Sequence, residues 1–520
     1  MRPKVWSPSV ELSDTEELIV KRVRRGKLFV FLRRQRHKLF SLEFQEELGT
    51  IYKESAFGQP PIPPAQLALA TILQAYVGVS DDEVIEATSM DRRWQLVLDC
   101  LDCAKAPFSK GTLVAFRQRL IEHDFDRRLI ERTIEVAEET GGFGSRQLRA
   151  ALDSSPLWGA GRVEDTYNLL GHALRKALGV IARQRGRQLT DLAQEAGASI
   201  LGSSSIKAAL DVDWDNVEDK QQALQVMLDT LTSVEAWVMQ TPEGQTDRTV
   251  QDSLQTAHQV RDQDVTVDED DKPTLRQGVA QDRRISVEDP EMRHGRKSRH
   301  KRIDGYKRHV LSSLDSRMIH AVGITPANAP EASVTDQLAA DLAHQQVVLA
   351  ELHMDRAYLN STMVRNRSPE LLICCKAWAI HRNDQFPKTT FQWDWQNKLV
   401  RCPNGVERSF EYGKVVHFPA KVCSACPQRA QCTQSPRGRT VSVHQDERLL
   451  ADLRQRQQTS AGRAKLRERV SVEHTLSHVG HWQGDTARYC GVRKNLFDLR
   501  RVAVVNNLFV MTHLPSMGAA

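Results

Sequence analysis

Apolar residues recur along this chain with two periods, and the alternation of those periods divides it. Leu148, Ala150 and Leu152 fall on one side of a period-two pattern, the signature of a short buried strand. That strand is expected to deliver Asp153 to a sheet edge before Ser154, Ser155, Pro156 and Gly159 break it. Residues 304–315 and 318–326 predict two more strands, joined as a hairpin at Asp315-Ser316-Arg317. The β-rich run 346–355 again ends in an Asp before a turn, and Leu371-Leu372-Ile373-Cys374-Cys375 predicts a last buried strand. Elsewhere the period is helical. Leu67, Leu69, Ile72, Leu73 and Tyr76 follow a Pro-rich break at 57–64, and Ser80 with Glu83 forms a capping box. Helices are also expected from Ser109 to Leu120, through two long apolar patterns at 167–181 and 224–238, at 331–343, after Asn360 and Ser361, at 461–482, and through Leu496, Leu499, Val502, Val505 and Leu508.

A chain of 520 residues exceeds one ordinary domain, so two to four are expected. Lys plus Arg number 72 against 66 Asp plus Glu, a surplus too small to mean much if it were evenly spread. It is concentrated. Residues 21–38 are basic with an apolar middle, which reads equally as a solvated helix face or as phosphate contact. From 291 to 309, Arg293, Arg296, Lys297, Arg299, Lys301, Arg302, Lys307 and Arg308 meet only Glu291 and Asp304, which suits a loop that tracks a phosphate backbone. The run 262–271 is acidic and reads as a solvated loop. No signal-peptide core or bilayer-length apolar run occurs, so a cytoplasmic, nucleoid-associated protein with no membrane contact is expected.

Nine cysteines in such a protein point to reduced thiols or bound metal rather than a disulfide framework. Cys100 and Cys103, in an apolar run, read as buried structural thiols. Cys402, Cys423, Cys426 and Cys432 stand in a Gly, Pro and Arg-rich stretch with little apolar content, where structural zinc is favoured over unbound thiols. A carboxylate at the end of an apolar strand costs free energy unless a cation or donors meet it. Asp153 and Asp355 are two such carboxylates, while Glu473 stands four residues after Arg469 on one helix face. Arg117 and Arg119 lie mid-helix, in a recognition helix or a plain bundle.

The element order and the strings Leu152-Asp153-Ser154-Ser155, Asp304-Gly305-Tyr306-Lys307, Asp355-Arg356-Ala357-Tyr358 and Arg469-Val470-Ser471-Val472-Glu473-His474 resemble bacterial insertion-sequence transposases of the group with a Cys-rich insertion before the catalytic Glu. The positions where some of that group have Tyr and Lys hold Leu466 and Gly480 here. The resemblance implies an α/β, ribonuclease-H-like mixed sheet with flanking helices, interrupted by a helical insertion and preceded by an all-α domain. It places a helical DNA-binding domain at 1–145, the catalytic core at 146–160 and 281–390, the helical insertion at 161–280, the Cys-rich insertion at 391–445, and closing helices with the third carboxylate at 446–520. It also implies that Asp153, Asp355 and Glu473 hold two Mg²⁺ or Mn²⁺ ions for phosphodiester cleavage and transfer of a 3′-hydroxyl into target DNA. DNA contacts are expected from Arg293, Arg296, Lys297, Arg299, Lys301, Arg302, Lys307, Arg117, Arg119 and Arg469. The partners implied are double-stranded DNA, as terminal inverted repeats and target, and a second protomer or more. A metal-dependent nuclease and a non-catalytic DNA-binding protein are the alternatives.

Overall fold

The computed structural model describes residues 2–54, 59–101, 103–140, 147–278, 280–296, 300–378, 380 and 385–513. Among them, eight strands precede the Cys segment: β1 (Gln147–Trp158), β2 (Val265–Val267), β3 (Pro273–Leu275), β4 (Arg293–Arg296), β5 (Arg302–Ser313), β6 (Ile319–Pro326), β7 (Val348–Met354) and β8 (Leu372–Cys374). The main sheet runs β6-β5-β1-β7-β8, with the short β4 sharing an edge of β5 with β6. β1, β7 and β8 are parallel, and β5 is antiparallel to its neighbours. The expected hairpin is β5 with β6.

β1 is longer than its pattern predicts, so Asp153 lies in mid-strand and Ser154, Ser155 and Pro156 do not break it. The partners explain this. β5 pairs with β1 as far as Trp158, whereas β7 ends at Met354, opposite Leu152. Trp158 donates its N–H to the Asp485 carbonyl at 2.8 Å, on the side away from β5. Pro156 faces its nitrogen to the same side, where β7 has already ended, so no ladder bond is lost. Gly305 opposes Trp158 at a φ of +150°, and a Cβ there would lie 2.2 Å from the Gly159 nitrogen.

Side chains alternate across the sheet into two cores. Val310, Val322 and Tyr306 pack with the helices of the amino-terminal region and with the closing helix Val492–Met511. Leu152, Leu311, Leu352 and Ile373 pack with the helices Thr335–His344 and Glu447–Gln458. The amino-terminal helices therefore share one continuous core with the sheet, and Arg493 and Arg500 tie them to the closing helix through Asp124 and Asp126. The insertion has its own core around Leu169, Leu174, Met227 and Leu231, as does the Cys segment around Phe391, Val400, Phe410 and Phe418.

Four local expectations change. Residues 293–296 form β4 instead of a loop. The acidic run 262–271 spans a helix end and the β2–β3 hairpin, with Asp264 buried under Arg283 and Thr166. The helix expected at 461–482 is two helices, Ser460–Arg467 and Val470–Gln483, because Lys465 and Glu468 are drawn to Glu351 and Arg149. Cys100 is buried but Cys103 is exposed, since the helix before them ends at Leu98. Among the described residues no helix is long and apolar enough to cross a membrane.

Candidate active site

The pairing of Leu152 with Met354 on parallel neighbours brings Asp153, in mid-β1, beside Asp355, the residue just past the end of β7. Asp355 caps the turn Arg356–Tyr358, accepting from the Arg356 N–H at 2.6 Å. Glu473 arrives from the helix Val470–Gln483, which lies against β1 and β5. Arg308, buried on β5, clamps the end of that helix: it donates to Ser155 Oγ at 2.7 Å, to the Gln483 side chain at 3.1 Å and to the Gly484 carbonyl at 2.8 Å. One cleft of about 490 Å³ is lined by Asp153, Asp355, Glu473, Glu331, Arg469 and Lys307 among others.

The three expected carboxylates thus face a common space, and Arg469 stands between two of them. Its guanidinium bonds the Asp153 carboxylate and reaches Glu473 Oε1 at 3.3 Å. Burial raises the Asp153 pKa; Arg469 and the Ser154 N–H oppose the rise, while Asp355 and Glu473 add to it. Glu331, absent from the sequence-based set, is a fourth carboxylate in the cleft. Burial raises its pKa too, against Lys307 and the Ser154 hydroxyl. Its only sequence signal is an acid directly after Ala329-Pro330, at the exit of a strand. Oxygen donors in this number suit a hard divalent cation such as Mg²⁺ or Mn²⁺. The chemistry of the donors fits such an ion, but Arg469 now holds Asp153 and no three of these carboxylates bring their oxygens within 4.8 Å of one another.

The expected DNA-contacting cations separate into two sets. Arg117 is buried and held by Asp81 and Gln74, Arg119 covers the Tyr52 ring at 4.7 Å, and Arg293 is buried against Asp282. In the basic 21–38 segment, Arg33 and Arg36 are likewise buried against Glu16 and Asp99. Arg117, Arg293, Arg33 and Arg36 hold the fold together and present no free charge to a phosphate. Arg296 and Lys307 line the acidic cleft, Arg302 is 63 % exposed, Lys301 is exposed, and Lys297 and Arg299 lie outside the described residues. Burial lowers the Lys307 pKa, with Glu331 opposing.

Cys402, Cys423, Cys426 and Cys432 line one small cavity of about 20 Å³, and none is in a disulfide. Burial pushes the Cys423 thiol pKa up, with Cys402 and Cys426 adding to the rise. A tetrahedral zinc ion with Zn–S near 2.3 Å needs sulfurs roughly 3.8 Å apart. Among the described residues the one trio of ligand-type atoms within 4.8 Å is Glu351, His353 and Cys374. The four cysteines share one small cavity, without three of their sulfurs coming within 4.8 Å of one another. In the Glu351 trio the carboxylate is already matched by Lys465 at 2.8 Å and Arg149 at 3.2 Å. Burial alone would raise the Glu351 pKa; Lys465, His353 and Arg149 bring it down to about 2. These contacts brace the 465–468 junction that precedes Arg469 and Glu473.

Three family models match the chain. One described as a transposase domain (DUF772) covers 20–119, and two described as transposase DDE domains cover 262–371 and 401–512. Asp355 and Glu473 fall inside the matched segments, and Asp153 lies between them. No curated protein and no solved structure matches. The chain belongs to the insertion-sequence transposases that carry a DDE domain.

Proposed function

We propose that this DNA-processing enzyme cleaves phosphodiester bonds at the ends of its element and joins the freed 3′-hydroxyl to target DNA, with Asp153, Asp355 and Glu473 as catalytic residues. The observation that carries the reading is the convergence of acids from positions 153, 355 and 473 on one cleft with cations along its rim. The strand order β6-β5-β1-β7-β8, with β5 antiparallel, supports a ribonuclease-H-like core.

The three carboxylates would hold two Mg²⁺ or Mn²⁺ ions, which when bound activate the attacking oxygen and stabilise the leaving one. The protein's own part is positional. β1 and β7 fix two acids by backbone register, and Arg308 fixes the helix that brings the third. Arg296 and Lys307 place positive charge where the flanking phosphates approach, and Arg469 guards Asp153 until a substrate or cation replaces it. Joining two ends requires two active sites held together, so at least a dimer on DNA is part of the proposal.

The test is strand transfer with Mg²⁺ on cognate ends, comparing wild type with Asp153→Asn, Asp355→Asn and Glu473→Gln. Loss of cutting and joining with retained DNA binding is expected for each. Cutting without joining would make the protein a nuclease, and no cutting by wild type would leave a DNA-binding protein. Cutting that survives Asp153→Asn would remove the catalytic assignment.

A further inference from the structure

A second, larger cleft adjoins the acidic one. Its volume is about 670 Å³, and it opens between the helical insertion, represented by Thr166, Asp264 and the β3 end, and the β4–β5 pair of the core, with Arg283 at the junction. Arg296 and Lys307 belong to both clefts. The acids lie at one end of this continuous path and the cations at the other. The second cleft is lined by Arg276, Arg283, Arg296, Arg302 and Lys307, with Asp264 as the carboxylate among its lining residues. Arg283 neutralises Asp264 through bonds of 2.6 and 2.7 Å. A net positive channel therefore remains. The insertion contributes Thr166, Gln263 and Asp264, with an exposed Arg276 and Leu275, 37 % exposed.

Size and lining together decide what fits. A duplex advances about 3.4 Å per base pair and, at its full width, fills on the order of 1000 Å³ for each. The cleft has room for less than one base pair of duplex, but for a short stretch of one strand. No Phe, Tyr or Trp lines it, and its one imidazole, His294, is held by Asp304 at 2.6 Å, so the cations would follow the sugar-phosphate backbone irrespective of sequence. We propose that this cleft takes an unpaired DNA strand leading away from the reacting phosphate, with Arg276 and Arg302 as its two walls. The inference rests on the reading of the acidic cleft as a DNA-cutting site and adds to it the strand state of the flanking DNA.

The experiment measures binding by the Asp153→Asn protein without divalent metal, so that no cutting intervenes. The probes are a duplex of arbitrary sequence, blunt or carrying a four-nucleotide single-stranded tail of either polarity, titrated across a salt series. The tail is expected to tighten binding about tenfold in one polarity. Arg276→Ala with Arg302→Ala should abolish that gain, so that tailed and blunt probes bind the double variant alike, and reduce the slope of log K against log salt for the tailed probe by about 1.4. Equal affinity for tailed and blunt probes overturns the proposal, as does a tail-dependent gain that survives both substitutions. Absence of binding to every probe overturns instead the DNA-processing reading beneath it.

Discussion

Arg469→Ala asks whether this guanidinium is the cation the pocket keeps until another arrives. Arg469 bonds Asp153 and reaches Glu473 at 3.3 Å. Its removal leaves Asp153, 16 % exposed at its side chain, facing the like charges of Asp355 and Glu473. Unit charges 4 Å apart interact by about 4 kcal/mol at an effective dielectric near 20. Arg469 is 29 % exposed, and screening reduces the figure to about 1–2 kcal/mol. A divalent cation entering the variant no longer competes with that guanidinium, so Mn²⁺ should bind the DNA-free protein about tenfold more tightly, 1.4 kcal/mol being one decade. Titration calorimetry with Mn²⁺ on wild type, Arg469→Ala and Arg469→Lys reads this directly; the lysine variant keeps the charge and should stay near wild type. The pH dependence has a definite sign. A carboxyl whose folded pKa is raised binds its proton more readily in the folded protein, so stability falls as pH rises from the ordinary Asp value through the raised one. The fall should be larger in Arg469→Ala and should vanish when Mn²⁺ is added. Mn²⁺ binding that is unchanged or weaker in Arg469→Ala would refute the reasoning.

Glu351→Ala should destabilise the protein by about 2–3 kcal/mol in urea unfolding at neutral pH, because Lys465 and Arg149 lose their shared anion. Since the folded Glu351 pKa is lowered to about 2 from 4.5, the gap between wild type and variant should be full above 4.5 and close as pH falls toward 2. Tyr306→Phe removes a hydroxyl that donates to the buried Asp289 carboxylate at 2.6 and 2.7 Å; a loss of about 1–3 kcal/mol is expected in thermal unfolding. Gly305→Ala drives a methyl group to 2.2 Å from the Gly159 nitrogen at a φ of +150°, and about 3 kcal/mol or more should be lost, read from the same melts.

The range of the forces involved explains which features the sequence showed and which it hid. Asp153 and Asp355 were legible because each ends or interrupts an apolar strand pattern, and that pattern is set by near neighbours. Glu473 needed the family resemblance, since an acid on a helix face has no local peculiarity. The basic residues misled because burial of an arginine depends on a partner far away in the chain. Arg117 looks like a recognition-helix cation until Asp81, 36 residues back, is seen to grip it from another helix, and Arg293 until Asp282 is seen beside it. Glu331 was missed for the complementary reason. Its role comes from where β6 ends relative to β1, which the sequence spacing does not encode. The length of β1 was hidden by Pro156, a strand breaker in isolation that is harmless where the neighbouring strand has stopped. The same stop exposes the edge of β1 beyond Asp153, and that open edge is what lets the helix bearing Glu473 close over the sheet and meet Trp158 through Asp485 and Ala487. The end of β7 therefore serves two purposes at once: it delivers Asp355, and it clears the edge along which the third carboxylate approaches.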